Sequence, residues 1–163
     1  MDRPRAAVLA LLALIMMFIP TVKVRMSANE WKNFSSFSVA FGAVITTEYG
    51  VVSKFSFNVL GLFGIVFFIP GFILAIVAAA KSEGKKAISI VSAVFLILSA
   101  ICMFCLLAVS KIRMTDGSRI VSRALNSKDF AETVKKASGS VLYGVMALLS
   151  GVASIVSAVF NKN

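Results

Sequence analysis

Two cysteines in a long apolar stretch come closest, of all residues in this sequence, to a pattern that could do chemistry. They lie in Cys102-Met103-Phe104-Cys105, and an i, i+3 spacing places two side chains on one face of a helix. Neighbouring thiols can exchange with a disulfide, but the reacting species is a thiolate. The pair falls in the last third of its predicted helix, where the helix dipole and the apolar surroundings disfavour a thiolate. The pattern therefore favours cysteines that fill space, and a thiol-redox membrane enzyme is the third of three functional hypotheses.

The C-x-x-C sequence and the number of predicted spans resemble the four-span, quinone-linked oxidoreductases that form disulfides. The resemblance implies a redox role for Cys102 and Cys105. Those enzymes relay electrons through further cysteines in their loops, and this chain contains two cysteines in all. The whole chain also looks similar to small four-span bacterial membrane proteins with a Lys/Gly turn after the second span, a resemblance that brings no activity with it. Claudin-type proteins share a strand-rich first loop, but their G-L-W and paired-cysteine signature is absent here.

The composition excludes most enzymatic chemistry and points to a membrane. The chain has no histidine, so we predict no zinc, no haem, no other cofactor and no histidine-based catalytic set. Apolar residues make up 59% of the chain, against roughly 45–50% in soluble domains. A net charge of +10 then indicates contact with anionic lipid headgroups and not with nucleic acid.

Four segments are apolar enough to cross a bilayer, which takes about 20 residues. They are Ala6–Val22, Phe57–Ala80, Ile88–Val109 and Ser140–Phe160. The first resembles a signal peptide in its basic flank, but its apolar run is long and no A-x-A site follows it, so we interpret it as a signal anchor. The sequence therefore predicts an all-α integral membrane protein, a bundle of four transmembrane helices forming one domain over residues 1–163.

The distribution of positive charge gives two conflicting orientations. With the N-terminus inside, six basic residues are on the inner side: Arg3, Arg5, Lys81, Lys85, Lys86 and Lys162. Eleven then lie in the two long outer loops, so the raw positive-inside count favours the opposite topology. We nevertheless predict that both termini are cytoplasmic, in a bacterial plasma membrane. The short head and the 81–86 turn are denser in positive charge than either loop, and the first helix often dominates insertion.

The two halves of the chain resemble each other. Lys23-Val24-Arg25-Met26 after the first span matches Lys111-Ile112-Arg113-Met114 after the third. The second and fourth spans also open alike, with Asn58-Val59-Leu60-Gly61 and Ser140-Val141-Leu142-Tyr143-Gly144. We therefore predict a tandem duplication of a helix-loop-helix unit, with repeats at about 1–84 and 85–163, related by an axis along the membrane normal.

The two long loops have different predicted structures. In the outer loop at about 23–56, residues 34–41 and 51–57 alternate apolar and polar side chains, which is typical of strands. In the loop at about 111–139, Ser127, Phe130, Val134 and Gly139 predict a short amphipathic helix with cations in its last turn. The loop side chains predicted to lie at the membrane interface or to bind a partner are Trp31, Phe34, Tyr49, Phe55, Phe130, Lys135 and Lys136.

Small residues inside the spans predict close helix packing. The predicted packing positions are Gly61, Gly64, Ala147, Ser150, Gly151, Ser154 and Ala158. Pro70 has no amide hydrogen for the carbonyl of Val66, so we expect a kink at this point of the second span. Packing accounts for the small residues more simply than a gate does, and no charged side chain inside a span marks an ion path.

We therefore predict a non-enzymatic accessory or scaffold subunit of a membrane complex. It would bind another membrane protein, or itself, through small-residue helix faces and ordered outer loops. The alternatives are a small channel or a lipid- or solute-handling transporter built around Pro70, and the redox enzyme above.

Overall fold

The computed structural model describes residues 5–25, 31–46, 52–80, 85–116, 119–124 and 134–160. This part of the chain is mostly helical. Its helices are α1 (Arg5–Met16), α2 (Ser36–Phe41), α3 (Val59–Ala80), α4 (Lys85–Val109) and α5 (Gly139–Phe160). Its strands are β1 (Pro20–Arg25), β2 (Trp31–Ser35), β3 (Val44–Thr46), β4 (Val52–Phe55), β5 (Lys111–Asp116), β6 (Arg119–Ala124) and β7 (Val134–Lys136).

Three helices are long and apolar enough to cross a membrane: Val59–Ala80, Lys86–Leu106 and Gly139–Phe160. They confirm the second, third and fourth predicted spans and fit a multi-pass membrane protein. At about 1.5 Å per residue, each is about as long as the bilayer core is thick. Their outward side chains are apolar, as at Ile69, Ile73, Val152 and Ile155, each 41% exposed or more. Lipid, and not water, is the solvent that matches such a surface.

The prediction for the first span is wrong in its second half. Helix α1 ends at Met16, and Pro20–Arg25 forms strand β1 instead of helix. Pro20 cannot donate to a helix ladder, and the β-branched Thr21, Val22 and Val24 suit a strand. Helix α1, with 12 residues, is about 18 Å long, which is shorter than the bilayer core.

The four longer helices pack side by side, with neighbours antiparallel. Helix α4 lies between α3 and α5, and α1 packs mainly on α5. Three seryl hydroxyls donate to carbonyls of a neighbouring helix: Ser92 to Gly71 (2.8 Å), Ser99 to Gly64 (2.6 Å) and Ser150 to Ala6 (2.6 Å). The start of α1, the end of α5, the end of α3 and the start of α4 consequently share one end of the bundle, and the seven described strands lie at the other.

The strands form two antiparallel sheets, each built from both halves of the chain. The first has the order β2-β1-β7 and the second β3-β4-β5-β6. The hairpin β1–β2 of the first half takes β7, the strand that leads into α5. The hairpin β5–β6 of the second half takes β4, the strand that leads into α3. Each half therefore contributes its last strand to the sheet that holds the hairpin of the other half.

Two loop segments differ from their predicted structure. Residues 36–41, within the alternating stretch 34–41, form α2, because Ser35 caps a helix by accepting from the Ser38 amide at 3.3 Å. Helix α2 ends at Gly42, whose φ of +86° suits glycine. The predicted amphipathic helix is wrong at Val134–Lys136, which pairs with β1 as strand β7. The first part of that predicted helix, 127–133, lies outside the described residues.

A common core joins the sheets to the helices. Phe34 of β2 and Phe55 of β4 meet edge to face with ring centroids 5.2 Å apart. Both rings are buried, together with Val22 and Val39. The two sheets thus contact each other through one aromatic pair above the ends of the helices, which fixes their position relative to the bundle.

Candidate functional site: a basic sheet face

One face of the β2-β1-β7 sheet is exposed and basic. Directly opposed residues in antiparallel strands point to the same side. Lys23 of β1 is opposite Asn33 on one flank and Lys135 on the other, and Arg25 is opposite Trp31. These five residues, Lys23, Arg25, Trp31, Asn33 and Lys135, form what we call the basic sheet face.

Most side chains of the basic sheet face are exposed. Lys23, Arg25, Asn33 and Lys135 are exposed, and Trp31 is half-buried. The Lys135 ammonium Nζ lies 4.6 Å from the centroid of the Trp31 ring. Cation–π contact of this kind stabilises an exposed pair by about 0.5–1 kcal/mol, so it holds Lys135 in a defined place on the sheet.

The opposition of Lys23 and Lys135 carries an electrostatic cost. Like charges directly opposite each other on a sheet destabilise it, on the scale of cross-strand pairs, by about 0.2–1 kcal/mol. A bound anionic group would relieve the repulsion and would also find a flat aromatic ring beside it.

The opposite face of the same sheet holds it in place. Val22 and Val24 of β1 and Phe34 of β2 are buried in the core. The hydroxyl of Thr21 shares a buried hydrogen bond of 2.7 Å with that of Ser36. The strands that carry the basic sheet face therefore pack against the core on their other side and are not part of a free loop.

The predicted interface aromatics separate into distinct environments. Trp31 lies on the basic sheet face, and Lys135 and Lys136 are exposed on β7. The prediction is wrong for Phe34 and Phe55, which are 5% and 0% exposed because the two sheets close over them. Tyr49 and Phe130 lie outside the described residues.

The small residues of α5 face other helices of the same chain. All five predicted positions of α5 are buried: Ala147, Ser150, Gly151, Ser154 and Ala158. Ser150 donates to the Ala6 carbonyl of α1, and a Cβ on Gly151 would lie 2.9 Å from Cγ1 of Ile97 in α4. Helices α1 and α4 of the same chain cover this face, and the binding of a partner through it stays a prediction.

The glycines of α3 also lie at internal contacts. A Cβ on Gly61 would lie 2.8 Å from Leu106 Cδ1 and 2.9 Å from Ala40 Cα, and one on Gly64 would lie 3.1 Å from Met103 Cγ. Pro70 is inside α3, which continues through it to Ala80. The kink stays a prediction.

The two cysteines are free thiols near the sheet end of α4. Cys102 is partly buried and Cys105 is exposed on the outside of the helix. Within the described residues, no group of three or more His, Cys, Asp or Glu side chains is arranged to hold a metal ion. Cys102 thus lies at a contact between helices, whereas Cys105 lies on the outer surface of the bundle.

Sequence reasoning did not find Asn58, which joins α3 to the end of α4. Its Oδ1 accepts from the amides of Leu60 (3.0 Å) and Gly61 (3.2 Å), and its Nδ2 donates to the Leu106 carbonyl (3.1 Å) and the Ser110 hydroxyl (2.8 Å). An Asn directly before an apolar span is an N-cap signal, and that signal was available in the sequence.

Comparisons with protein-family models, with curated proteins and with solved structures found no match to this chain.

Proposed function

We propose that this chain is a non-enzymatic accessory subunit of a membrane complex, and that its basic sheet face binds an acidic segment of another membrane protein. The observation that carries the proposal is the direct opposition of Lys23 and Lys135 on an exposed sheet anchored in the core. An acidic partner would remove a like-charge repulsion, and charge complementarity of this kind gives specificity and speeds encounter.

The packing of the bundle supports an accessory subunit more than the channel alternative. Leu96, Met103 and Tyr143 are fully buried between the helices, and Ser99 links α3, α4 and α5 by hydrogen bonds. Side chains, and not a water-filled passage, occupy this part of the interior. We also propose that Cys102 and Cys105 have no catalytic role, since Cys102 is partly buried and Cys105 is exposed on the outside of the helix.

We further propose that the bundle arose by duplication of a two-helix unit. The reciprocal strand exchange supports this, because β1 and β5 carry the matching Lys-x-Arg sequences and occupy equivalent positions beside their hairpin partners. In this proposal α1, with flanking residues, is the fourth span. Both termini face the cytoplasm of a bacterial cell and the sheets lie outside.

The experiment is purification of the tagged full-length chain from native membranes in a mild detergent, with mass spectrometry of the proteins that co-elute. We expect a stoichiometric membrane-protein partner. The double variant Lys23→Glu/Lys135→Glu should lose that partner, because it turns the basic face into one that repels an acidic segment.

The matched control is Lys86→Glu, which also reverses an exposed lysine but lies at the opposite end of the bundle. It should retain the partner. The proposal is contradicted if the wild-type chain elutes alone, or if the double variant and the control retain the same partner equally well.

A further inference from the structure

A cavity opens where the start of α3 and the end of α4 meet the β3-β4-β5-β6 sheet. Its volume is about 310 Å³, and its walls are Ser56, Phe57, Asn58, Val59, Leu60, Val109, Ser110 and Lys111. This volume is at the small end of ligand sites in proteins. The cavity lies at the end of two helices that are long enough to cross a membrane, so it is at the level of the lipid headgroups.

Two of the polar side chains in this cavity are already committed to the fold. Asn58 donates to Ser110 at 2.8 Å, and Ser110 donates to the Leu106 carbonyl at 2.6 Å. These bonds hold the end of α4 against the start of α3. Asn58 and Ser110 therefore build the floor of the cavity and leave little capacity for a ligand.

The other two polar side chains have unused capacity. The hydroxyl Oγ of Ser56 is buried without a hydrogen-bond partner among the described residues, a state that costs about 1–3 kcal/mol. Lys111 is exposed and follows α4 directly. The amide of Ser56 donates to the Lys111 carbonyl at 2.9 Å, so the two residues are neighbours across the strands. Of these two side chains, the exposed Lys111 ammonium group is the one that suits a phosphate oxygen.

The rim of the cavity is apolar and faces outward. Phe57 and Val59 are each 53% exposed, and Val109 is 48% exposed. Side chains at the end of a membrane helix contact acyl chains, whereas a lysine beside them reaches the headgroup region. The cavity thus joins an anion-binding end to a surface that matches hydrocarbon.

We propose that this cavity binds one anionic phospholipid, with its phosphate on Lys111 and one acyl chain along Phe57, Val59 and Val109. The site is independent of the basic sheet face, because it lies on the other sheet. Through this site the protein would bind one lipid at a defined position. Positive charge near a membrane, in contrast, attracts anionic lipids without a defined position.

At the matching place in the other half of the chain, the start of α5 is closely packed. Lys23 occupies the β1 position that matches Lys111, but a Cβ on Gly139 at the start of α5 would lie 2.7 Å from the Pro20 carbonyl oxygen. The backbone after α1 closes against α5 at this point. Lys86→Gln is the matched control, because it removes one charge from an exposed lysine at the opposite end of the bundle.

The test is titration of delipidated full-length protein, in a neutral detergent, with phosphatidylglycerol or phosphatidylcholine, followed by native mass spectrometry. We expect one saturable phosphatidylglycerol per chain and weaker binding of phosphatidylcholine. Loss of one interfacial lysine in Lys111→Gln should weaken phosphatidylglycerol binding roughly fivefold. Lys86→Gln should leave it unchanged.

A second variant, Val109→Trp, fills the apolar rim without altering charge and should also weaken binding. Circular dichroism and elution volume check that every variant is folded. Equal weakening by Lys111→Gln and Lys86→Gln would overturn the proposal, since it would indicate diffuse attraction. Equal binding of the two lipids, or displacement by soluble glycerol 3-phosphate at the lipid's own concentration, would overturn it too.

Discussion

The hydroxyl groups of Ser99 and Tyr143 lie 2.7 Å apart in the interior of the bundle, and both residues are fully buried. Ser99 also donates to the Gly64 carbonyl at 2.6 Å, so the proton between the hydroxyls comes from Tyr143. The chain of hydrogen bonds Tyr143–Ser99–Gly64 joins α5, α4 and α3. One small polar cluster therefore fixes how the three long helices pack.

Removing either hydroxyl should destabilise the bundle, but unequally. Ser99→Ala leaves the Tyr143 hydroxyl buried without its partner and should cost about 1–2 kcal/mol of unfolding free energy. Tyr143→Phe leaves the Ser99–Gly64 bond intact and should cost about 0.5–1 kcal/mol. Unfolding in mixed detergent micelles measures both, and the double variant gives the coupling. Equal costs with no coupling would contradict this assignment.

The glycines of α3 should differ in their tolerance of a methyl group. In Gly61→Ala the new Cβ meets backbone, Ala40 Cα at 2.9 Å, whereas in Gly64→Ala it meets Met103 Cγ at 3.1 Å. A flexible Met side chain can move and a backbone cannot. We expect Gly61→Ala to cost about 1–3 kcal/mol and Gly64→Ala less. Thermal unfolding of the purified variants checks the order, and the reverse order would contradict the packing described for α2.

The three long spans could be predicted because their apolar runs are uninterrupted. In lipid, such a run forms a helix, because a helix satisfies the backbone hydrogen bonds within the segment. The end of α1 could not be predicted in this way. The apolar run passes from Met16 through Ile19 into β1 without a polar residue, and hydropathy alone does not distinguish a helix from a strand.

The candidate site depends on contacts between distant parts of the chain. Lys23 and Lys135 are far apart in sequence, and no local pattern indicates that β7 pairs with β1. The sequence around Phe34 and Phe55 is typical of aromatic residues at a membrane interface. They are buried because the two sheets pack against each other at these rings. Trp31 and Lys135 are predicted from the sequence to lie at the membrane interface or to bind a partner. Their contact with each other depends on the pairing of β7 with β1.

The strand exchange between the halves predicts a specific cross-link. Lys23→Cys/Lys135→Cys, in a Cys102→Ala/Cys105→Ala background, should form an intramolecular disulfide on mild oxidation, because directly opposed strand residues lie within disulfide range. Mobility on a non-reducing gel measures it. The control pair Lys23→Cys/Lys86→Cys spans the length of the bundle and should stay reduced. Failure of the first pair to cross-link would contradict the β1–β7 pairing.

The proposed orientation predicts which cysteines react from outside the cell. In the same cysteine-free background, Asn33→Cys on the exposed sheet face should react with a membrane-impermeant maleimide on intact cells. Lys86→Cys, at the other end of the bundle, should react only after permeabilisation. The opposite pattern would place the sheets in the cytoplasm, in agreement with the raw count of positive charge.

The most direct test of the account is site-specific photo-crosslinking in native membranes. A photoreactive amino acid replaces Asn33, which lies on the basic sheet face beside Lys23, and, as the control, Val44, which is 56% exposed on the other sheet. We predict a cross-link to a single membrane protein from position 33, its loss in Lys23→Glu/Lys135→Glu, and no such product from position 44. Cross-links to lipid alone from position 33, or the same products from both positions, would contradict a partner-binding role for the basic sheet face.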